Sequence, residues 1–215
     1  MNQRVVLPEY LDSLPHSDPE AKRSRRDLRL INRILGNQRW LASQLSSDRR
    51  PPGRVLELGA GDAPLLMEMS AGSHFDPADW TAVDLAPAPE NWPLKARWMQ
   101  GDLFQMNPFP ETEVVVANLF LHHWKPAELR WIGQNLSPAC RLFLANEPVR
   151  SGLHVAQGRL LAWLARFNSV TRHDMERSIE AGFRGEELPK LLGLNGWEFR
   201  IECTVLGAYR MRAWR

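Results

Sequence analysis

The chain has 215 residues, 44% of them hydrophobic and 24% charged, with a formal net charge of +2. That size and balance fit one globular α/β domain with a short extension and exclude fibrous or disordered classes. The small net charge does not by itself imply nucleic acid, and two isolated cysteines, Cys140 and Cys203, exclude a disulfide framework or a cysteine zinc site.

Residues 1–16 read as irregular, with Pro8 and Pro15. Met1 to Tyr10 holds no apolar signal segment, no later apolar run is long enough to span a membrane, and a cytoplasmic setting fits the free cysteines. Ser17 or Asp18 can cap a helix that Pro19 and Glu20 begin. Leu28, Ile31, Leu35, Trp40, Leu41 and Leu45 recur at helical spacing, which predicts two helices divided near Gly36-Asn37. Arg23, Arg25, Arg26 and Arg29 form a basic run. It is either a solvated face, or it closes over a ligand together with Asn32 and meets a carboxylate there. Ser46 to Gly53, with Pro51-Pro52, is a loop.

Val55 to Leu58 is a short buried strand that runs into Gly59-Ala60-Gly61-Asp62 and then a helix over Ala63 to Ser70, stopped at Ala71-Gly72. Gly59 and Gly61 allow positive φ and a close approach of ligand to backbone. An open α/β sheet holds an adenosine-bearing ligand in this place. Pro64 stands where the dinucleotide fingerprint has its third glycine. Glu57 and Asp62 also put two carboxylates around the turn, which oppose a pyrophosphate. The same acids suit a ligand with an ammonium and a sulfonium, namely S-adenosylmethionine.

Trp80 to Asp84 is a second strand whose terminal carboxylate can accept from ribose hydroxyls, or simply cap the next turn. Leu85 then lies against adenine. Ala86 to Pro93 is too rich in proline for more than a short helix. Ala96 to Gln100 is a third strand followed by Gly101-Asp102-Leu103; Asp102 can accept from the adenine amino group, or serve only the turn. Glu113 to Ala117 is a central strand, buried on both faces, leading into Asn118-Leu119-Phe120-Leu121-His122-His123-Trp124. A helix follows over Ala127 to Leu136, then strand five over Arg141 to Ala145, ending at Asn146-Glu147-Pro148. Gly152 to Arg166 and Glu186 to Leu192 read as helices. Trp197 to Thr204 and Ala208 to Trp214 read as a closing antiparallel pair around Gly207.

Four features, Glu57-Leu-Gly-Ala-Gly61, Asp84, Gly101-Asp102 and Asn118 to His123, come in the order and spacing of the class I S-adenosylmethionine-dependent methyltransferases, which residues 54–214 resemble. The resemblance implies an α/β, Rossmann-like fold: a seven-stranded, mostly parallel sheet with helices on both faces. It comprises a helical extension at 1–50, a methyltransferase domain at 51–215 and a helical lid at about 149–193, between strands five and six. The segment N-L-F-L-H-H-W and the later S-I, G-F-R and E-E-L runs resemble the ubiquinone-type small-molecule branch. The head P-E-Y-L-D-S-L-P with R-R-D-L-R-L-I-N is similar to bacterial methyltransferases found beside type III polyketide synthases, which implies a phenolic or pyrone-like acceptor. The cofactor would be S-adenosyl-L-methionine, held by Glu57, Gly59, Ala60, Gly61, Asp84, Leu85, Gly101, Asp102, Leu103, Asn118 and Leu119.

Methyl transfer is an in-line displacement that depends on alignment, and a hydroxyl acceptor also needs a base. His122, His123 and His173 are the candidates, and only one of the first two can face the site. His16, His74 and His154 lack such context. Ala117-Asn118 supplies no carboxylate at the end of strand four, and Asn146-Glu147 is a partial oxygen shell, so no metal is expected. Trp163, Phe167 and Phe183 either line an apolar acceptor pocket under the lid or pack in the core. The chain lacks the motifs that clamp a flipped base, so nucleic acid is not the expected partner. An RNA methyltransferase and a non-catalytic S-adenosylmethionine-binding assembly factor remain as the other two readings. The residues do not speak to oligomeric state.

Overall fold

The β-branched and leucine-rich runs form one seven-stranded sheet in the computed structural model, which describes residues 1, 3–15, 17–47, 53–62, 64–70, 76–93, 95–106 and 109–215. Along the chain come α1 (Tyr10–Ser13), α2 (Pro19–Leu35), α3 (Asn37–Ser46), β1 (Val55–Leu58), α4 (Pro64–Ser70), β2 (Trp80–Asp84), β3 (Arg97–Gln100) and β4 (Val114–Asn118). Then follow α5 (Pro126–Gln134), β5 (Leu142–Pro148), α6 (Gly152–Leu164), α7 (Ser169–Glu180), α8 (Glu187–Leu192), β6 (Glu198–Cys203) and β7 (Ala208–Trp214).

The order across the sheet is β3-β2-β1-β4-β5-β7-β6. β1 to β5 are parallel, and β7 enters antiparallel between β5 and β6. The order reverses between β1 and β4, and an open parallel sheet leaves its ligand crevice at the carboxyl ends of the strands flanking such a reversal. The register places Leu58 beside Ala117 and Val83, and Asn118 beside Asn146. Gly59, Asp84, Gly101 and Asn118 are therefore gathered along one edge.

Alternation along the strands divides the core. Leu56, Leu58, Val115 and Ala117 pack towards α5 and α8 through Leu129, Ile132, Leu188 and Leu192. Val55, Val114, Val116 and Leu144 pack towards α3 and α4 through Leu41, Leu45, Leu65 and Leu66. Each fully buried leucine contributes about 1.5–3 kcal/mol relative to exposure. Because α3 sits on the sheet, the segment before residue 51 shares the main core.

Asp18 caps α2, its carboxylate accepting from the Glu20 and Ala21 amides at 2.7 and 3.3 Å, and Gly36, at φ +66°, ends the helix before α3. Ala21, Ser24, Asp27 and Ile31, three or four residues apart, are buried. Ile31 meets Ala162 and Phe167, while the Asn168 amide donates to Asp27 at 3.2 Å.

Four segments depart from expectation. A single helical turn, α1, stands within the irregular head. β5 continues through Asn146-Glu147-Pro148, because β7 pairs with it as far as Pro148 opposite Ala208. α7 was not visible as a helix, since two of its three buried residues, Thr171 and Asp174, are polar and seated by hydrogen bonds. α6 ends at Leu164. Residues 48–52 of the predicted loop, Ala63, the stop at Ala71-Gly72, His16 and His74 lie outside the described residues.

Candidate functional site

The turn after β1 is held from β2. The Gly59 amide donates to the Val83 carbonyl at 2.9 Å, and the Gly61 amide donates to Asp84 at 2.8 Å. The other Asp84 oxygen accepts from the Ala86 amide at 2.8 Å, so the carboxylate ties both turns together. Two of its roughly four lone-pair positions remain. Gly59 and Gly61 adopt φ of +65° and +53°. A Cβ on Gly59 would also stand 2.1 Å from the Phe120 ring.

The acids of this turn differ from the sequence picture of two bare carboxylates. Asp62 is paired with Arg29 of α2, which brings the arginine helix over the turn. Glu57 is buried and accepts from the Trp80 indole N–H at 2.9 Å. Burial, with Asp84 adding to it and Trp80 opposing it, pushes the Glu57 carboxyl up to about 8. It is therefore mostly protonated at neutral pH.

Leu85 is 70% exposed at the cavity edge. Asp102 caps the short turn Leu103–Gln105, accepting from the Phe104 amide at 2.9 Å, and faces the same cavity. Both bland readings of these aspartates thus hold, and both carboxylates still line the cavity.

At the end of β4, Leu119 has φ +52°, an uncommon conformation for a branched apolar residue. The Asn118 amide donates to Asn32 at 3.1 Å, and the Asn146 amide donates to Asn118 at 3.2 Å. This chain links α2 to the centre of the sheet. Glu147, buried in β5, organises the next turn: it accepts from the Phe120, Leu121 and His122 amides and from His122 Nδ1 at 2.7 Å. On the other side of His122, Nε2 lies 3.6 Å from Glu9 Oε1. Burial alone would lower the His122 pKa, but Glu147 and Glu9 outweigh it and push it up to about 9. His122 is thus an imidazolium between two carboxylates. Burial would raise the Glu9 carboxyl, but His122, helped by His123 and Ser178, holds it below the usual carboxylate range.

His123 also faces the cavity and has Nδ1 3.5 Å from Asp12. The expectation that only one of the two histidines faces the site is therefore corrected: both do, because the short helical turn Leu121–His123 turns their rings side by side, 4.3 Å apart. His173 is not among the residues lining the cavity. It stacks on Tyr10 at 3.7 Å and bonds Asp174 at 2.9 Å, fixing the head of the chain to α7. His154, without context in the sequence, does line the cavity.

The cavity has a volume of about 1210 Å³ and runs from the glycine turn past Asp84 and Asp102 to Glu9 and the two histidines. Leu28 and Ile31 of α2, Leu161 of α6 and Ile179 of α7 supply apolar walls, and Leu7, Leu11 and Leu14 close it from the head. Of the two alternatives for the three aromatics, core packing holds for Phe167 and Phe183, which are buried in core clusters, and neither holds for Trp163, which is 74% exposed. Arg4 lies over the Phe183 ring at 4.7 Å and donates to the carbonyls of Ala181, Trp124 and His122. Arg4 and Glu9 carried no role in the sequence reading, and Glu147 was weighed there only as part of an oxygen shell with Asn146. Their partners lie far away in the chain; a charged head followed by buried acids in a strand was the available signal.

No protein-family model matches the chain, and no curated protein matches it. Among solved structures it is similar to the plantazolicin methyltransferase BamL, crystallised with a triazolic desmethylPZN analog and SAH, at TM-score 0.70 and 12% identity over 95% of this chain and 92% of that one. It is also similar to human N-acetylserotonin methyltransferase, in complex with SAM, at TM-score 0.60 and 20% identity over 96% and 62%. The mitomycin 7-O-methyltransferase MmcR gives TM-score 0.60 at 18% identity over 95% and 60%. At these identities the likeness is one of fold.

Proposed function

We propose that the chain is a class I S-adenosylmethionine-dependent methyltransferase that acts on a small, aromatic or polyketide-type hydroxyl acceptor. The observation that carries this reading is a single cavity joining the glycine turn to the Glu9, His122 and His123 group. At one end, Gly59 and Gly61 admit the donor, Asp84 and Asp102 offer oxygens to ribose and adenine, and Glu57 meets the ammonium. Leu119 and Phe120, which follow β4 and reach the Gly59 turn, border the place where the methyl is presented. At the other end, apolar walls exclude water from the acceptor. His122 already holds a proton between Glu147 and Glu9, so it positions rather than accepts. His123 offers the remaining nitrogen towards the acceptor hydroxyl, and His173 stands away from the reaction.

The methyl passes from sulfonium to oxygen, the sulfur keeps the bonding pair, and the hydroxyl proton leaves into the histidine group. Alignment of the three reacting atoms carries most of the acceleration. A small acceptor is favoured over nucleic acid because two of the four arginines in the α2 run are engaged at the cavity: Arg29 pairs with Asp62, and Arg25 is part of the lining.

The test is incubation with S-adenosylmethionine and a panel of phenols, quinols and pyrones, read by mass spectrometry. One added methyl group with equimolar S-adenosylhomocysteine is expected. Tight donor binding with no turnover on any member would favour a binding-only role, and a salt-sensitive shift of RNA would favour RNA methylation.

A further inference from the structure

Glu9, His122 and His123 bring one carboxylate and two imidazoles together at the acceptor end of the cavity, with their potential ligand atoms within 4.8 Å of one another. Two imidazoles and one carboxylate form the donor set of open zinc and iron sites, which bind three protein atoms and leave positions free. The separation of His122 Nε2 from Glu9 Oε1, 3.6 Å, is too long for a hydrogen bond. Two ligand bonds of about 2.0–2.1 Å meeting at a cation span roughly that distance.

An outer partner matches as well. Histidine ligands donate their second ring nitrogen to a carboxylate, which fixes the ring. Glu147 stands 2.7 Å from His122 Nδ1 and holds that ring by a hydrogen bond, while the exposed Asp12 lies 3.5 Å from His123 Nδ1, beyond a normal hydrogen bond. The side chains of His122 and Glu9 are only 3% and 11% exposed, yet both line the cavity. The cluster therefore has two buried ligands, a buried carboxylate behind one imidazole and a cavity in front.

We propose that these three side chains form a site for a first-row divalent cation, zinc or iron in type, open towards the acceptor cavity, with His122 releasing its Nε2 proton to solvent as the cation binds and keeping its Nδ1 proton hydrogen-bonded to Glu147. Because Glu9 comes from the head and the histidines from the turn after β4, the cation would also clamp residues 3–14 onto the body. The free positions suit an acceptor bearing a hydroxyl or enol oxygen, with His123 a ligand instead of a base; this last clause alone rests on the methyl-transfer reading.

The test titrates the chelator-treated full chain with cobalt(II) chloride, read by d–d absorption. One saturable equivalent is expected. Affinity should fall at least tenfold in Glu9→Gln and in His123→Asn, and about 10–100-fold in Glu147→Gln. In parallel, zinc chloride should slow amide hydrogen exchange over residues 3–14. No saturable absorption, or equal affinity in the wild type and both ligand variants, overturns the site. Should the variants fail to fold, wild-type exchange decides: no added protection over 3–14 with zinc overturns it. Cobalt binding without S-adenosylmethionine binding keeps the site and sinks the methyl-transfer reading; donor binding without cobalt binding does the reverse.

Discussion

Glu57→Gln isolates the buried carboxyl at the glycine turn whose ionisation should change on binding of the proposed donor. With its carboxyl pushed up to about 8, only about one molecule in eleven holds Glu57 ionised at pH 7, and about one in a hundred at pH 6. If the ligand ammonium requires the carboxylate, affinity is lowered by about 1.4 kcal/mol at pH 7 and about 2.7 kcal/mol at pH 6. S-adenosylhomocysteine should therefore bind roughly ninefold more tightly at pH 7 than at pH 6, with release of about 0.9 proton at pH 7. The ligand amine stays protonated across this window, since α-amino groups titrate at about 7.7–8.0.

The variant removes both effects, because an amide cannot ionise. Free-protein stability moves in the opposite sense. The folded chain holds the Glu57 proton above the ordinary carboxylate value of 4.5 and up to about 8, so Glu57 lowers stability progressively as pH rises through that window. The glutamine variant should escape this loss and be the more stable protein at about pH 8 in the absence of ligand. Calorimetry in two buffers of different ionisation enthalpy reads the proton release, and a thermal melt reads the stability. Equal pH slopes in wild type and variant, or no proton released by the wild type, would refute the reasoning.

Asp84→Ala should weaken S-adenosylhomocysteine binding by about 1–3 kcal/mol, the scale of a hydrogen bond to a charged group, and unchanged calorimetric affinity would exclude a ribose contact. Gly59→Ala should lower the melting temperature for two reasons, a left-handed φ costing about 1–2 kcal/mol and the clash with Phe120. Adding Phe120→Ala should recover the clash portion alone; full recovery or none contradicts that division. Arg4→Ala removes the side chain that fastens the head to the turn after β4. Exchange over residues 3–14 should rise at least tenfold while the sheet stays protected, and uniform protection would show that the head is held elsewhere.

Local patterns made the scaffold legible. Val55-Leu56 and Val114-Val115-Val116 are strands of the right length, Asp18-Pro19 and Gly36 mark helix ends, and Ala208 to Trp214 alternates. The gathering of Gly59, Asp84, Gly101 and Asn118 around one cavity followed from their position after each strand, since a parallel sheet gathers carboxyl ends at one edge. The acceptor end was less legible, because it is assembled across the chain. Glu9 meets His122 over more than a hundred residues, Glu147 sits in a strand whose Asn-Glu-Pro ending reads as a loop, and α7 buries polar groups in place of an apolar stripe. Sequence periodicity reports burial of apolar side chains, and it is silent about a carboxylate buried to serve a histidine. For the same reason Trp163, read as either pocket wall or core, is in fact exposed, while leucines from the head line the cavity.

A crystal structure of the chain soaked with S-adenosylhomocysteine tests the donor site most directly. The adenine should lie against Leu85 with its amino group on Asp102, the ribose hydroxyls on Asp84, and the amino-acid end over Gly59 and Gly61 beside Glu57. Density for the ligand elsewhere, or an empty glycine turn that fills instead with a nicotinamide or flavin dinucleotide, would contradict it.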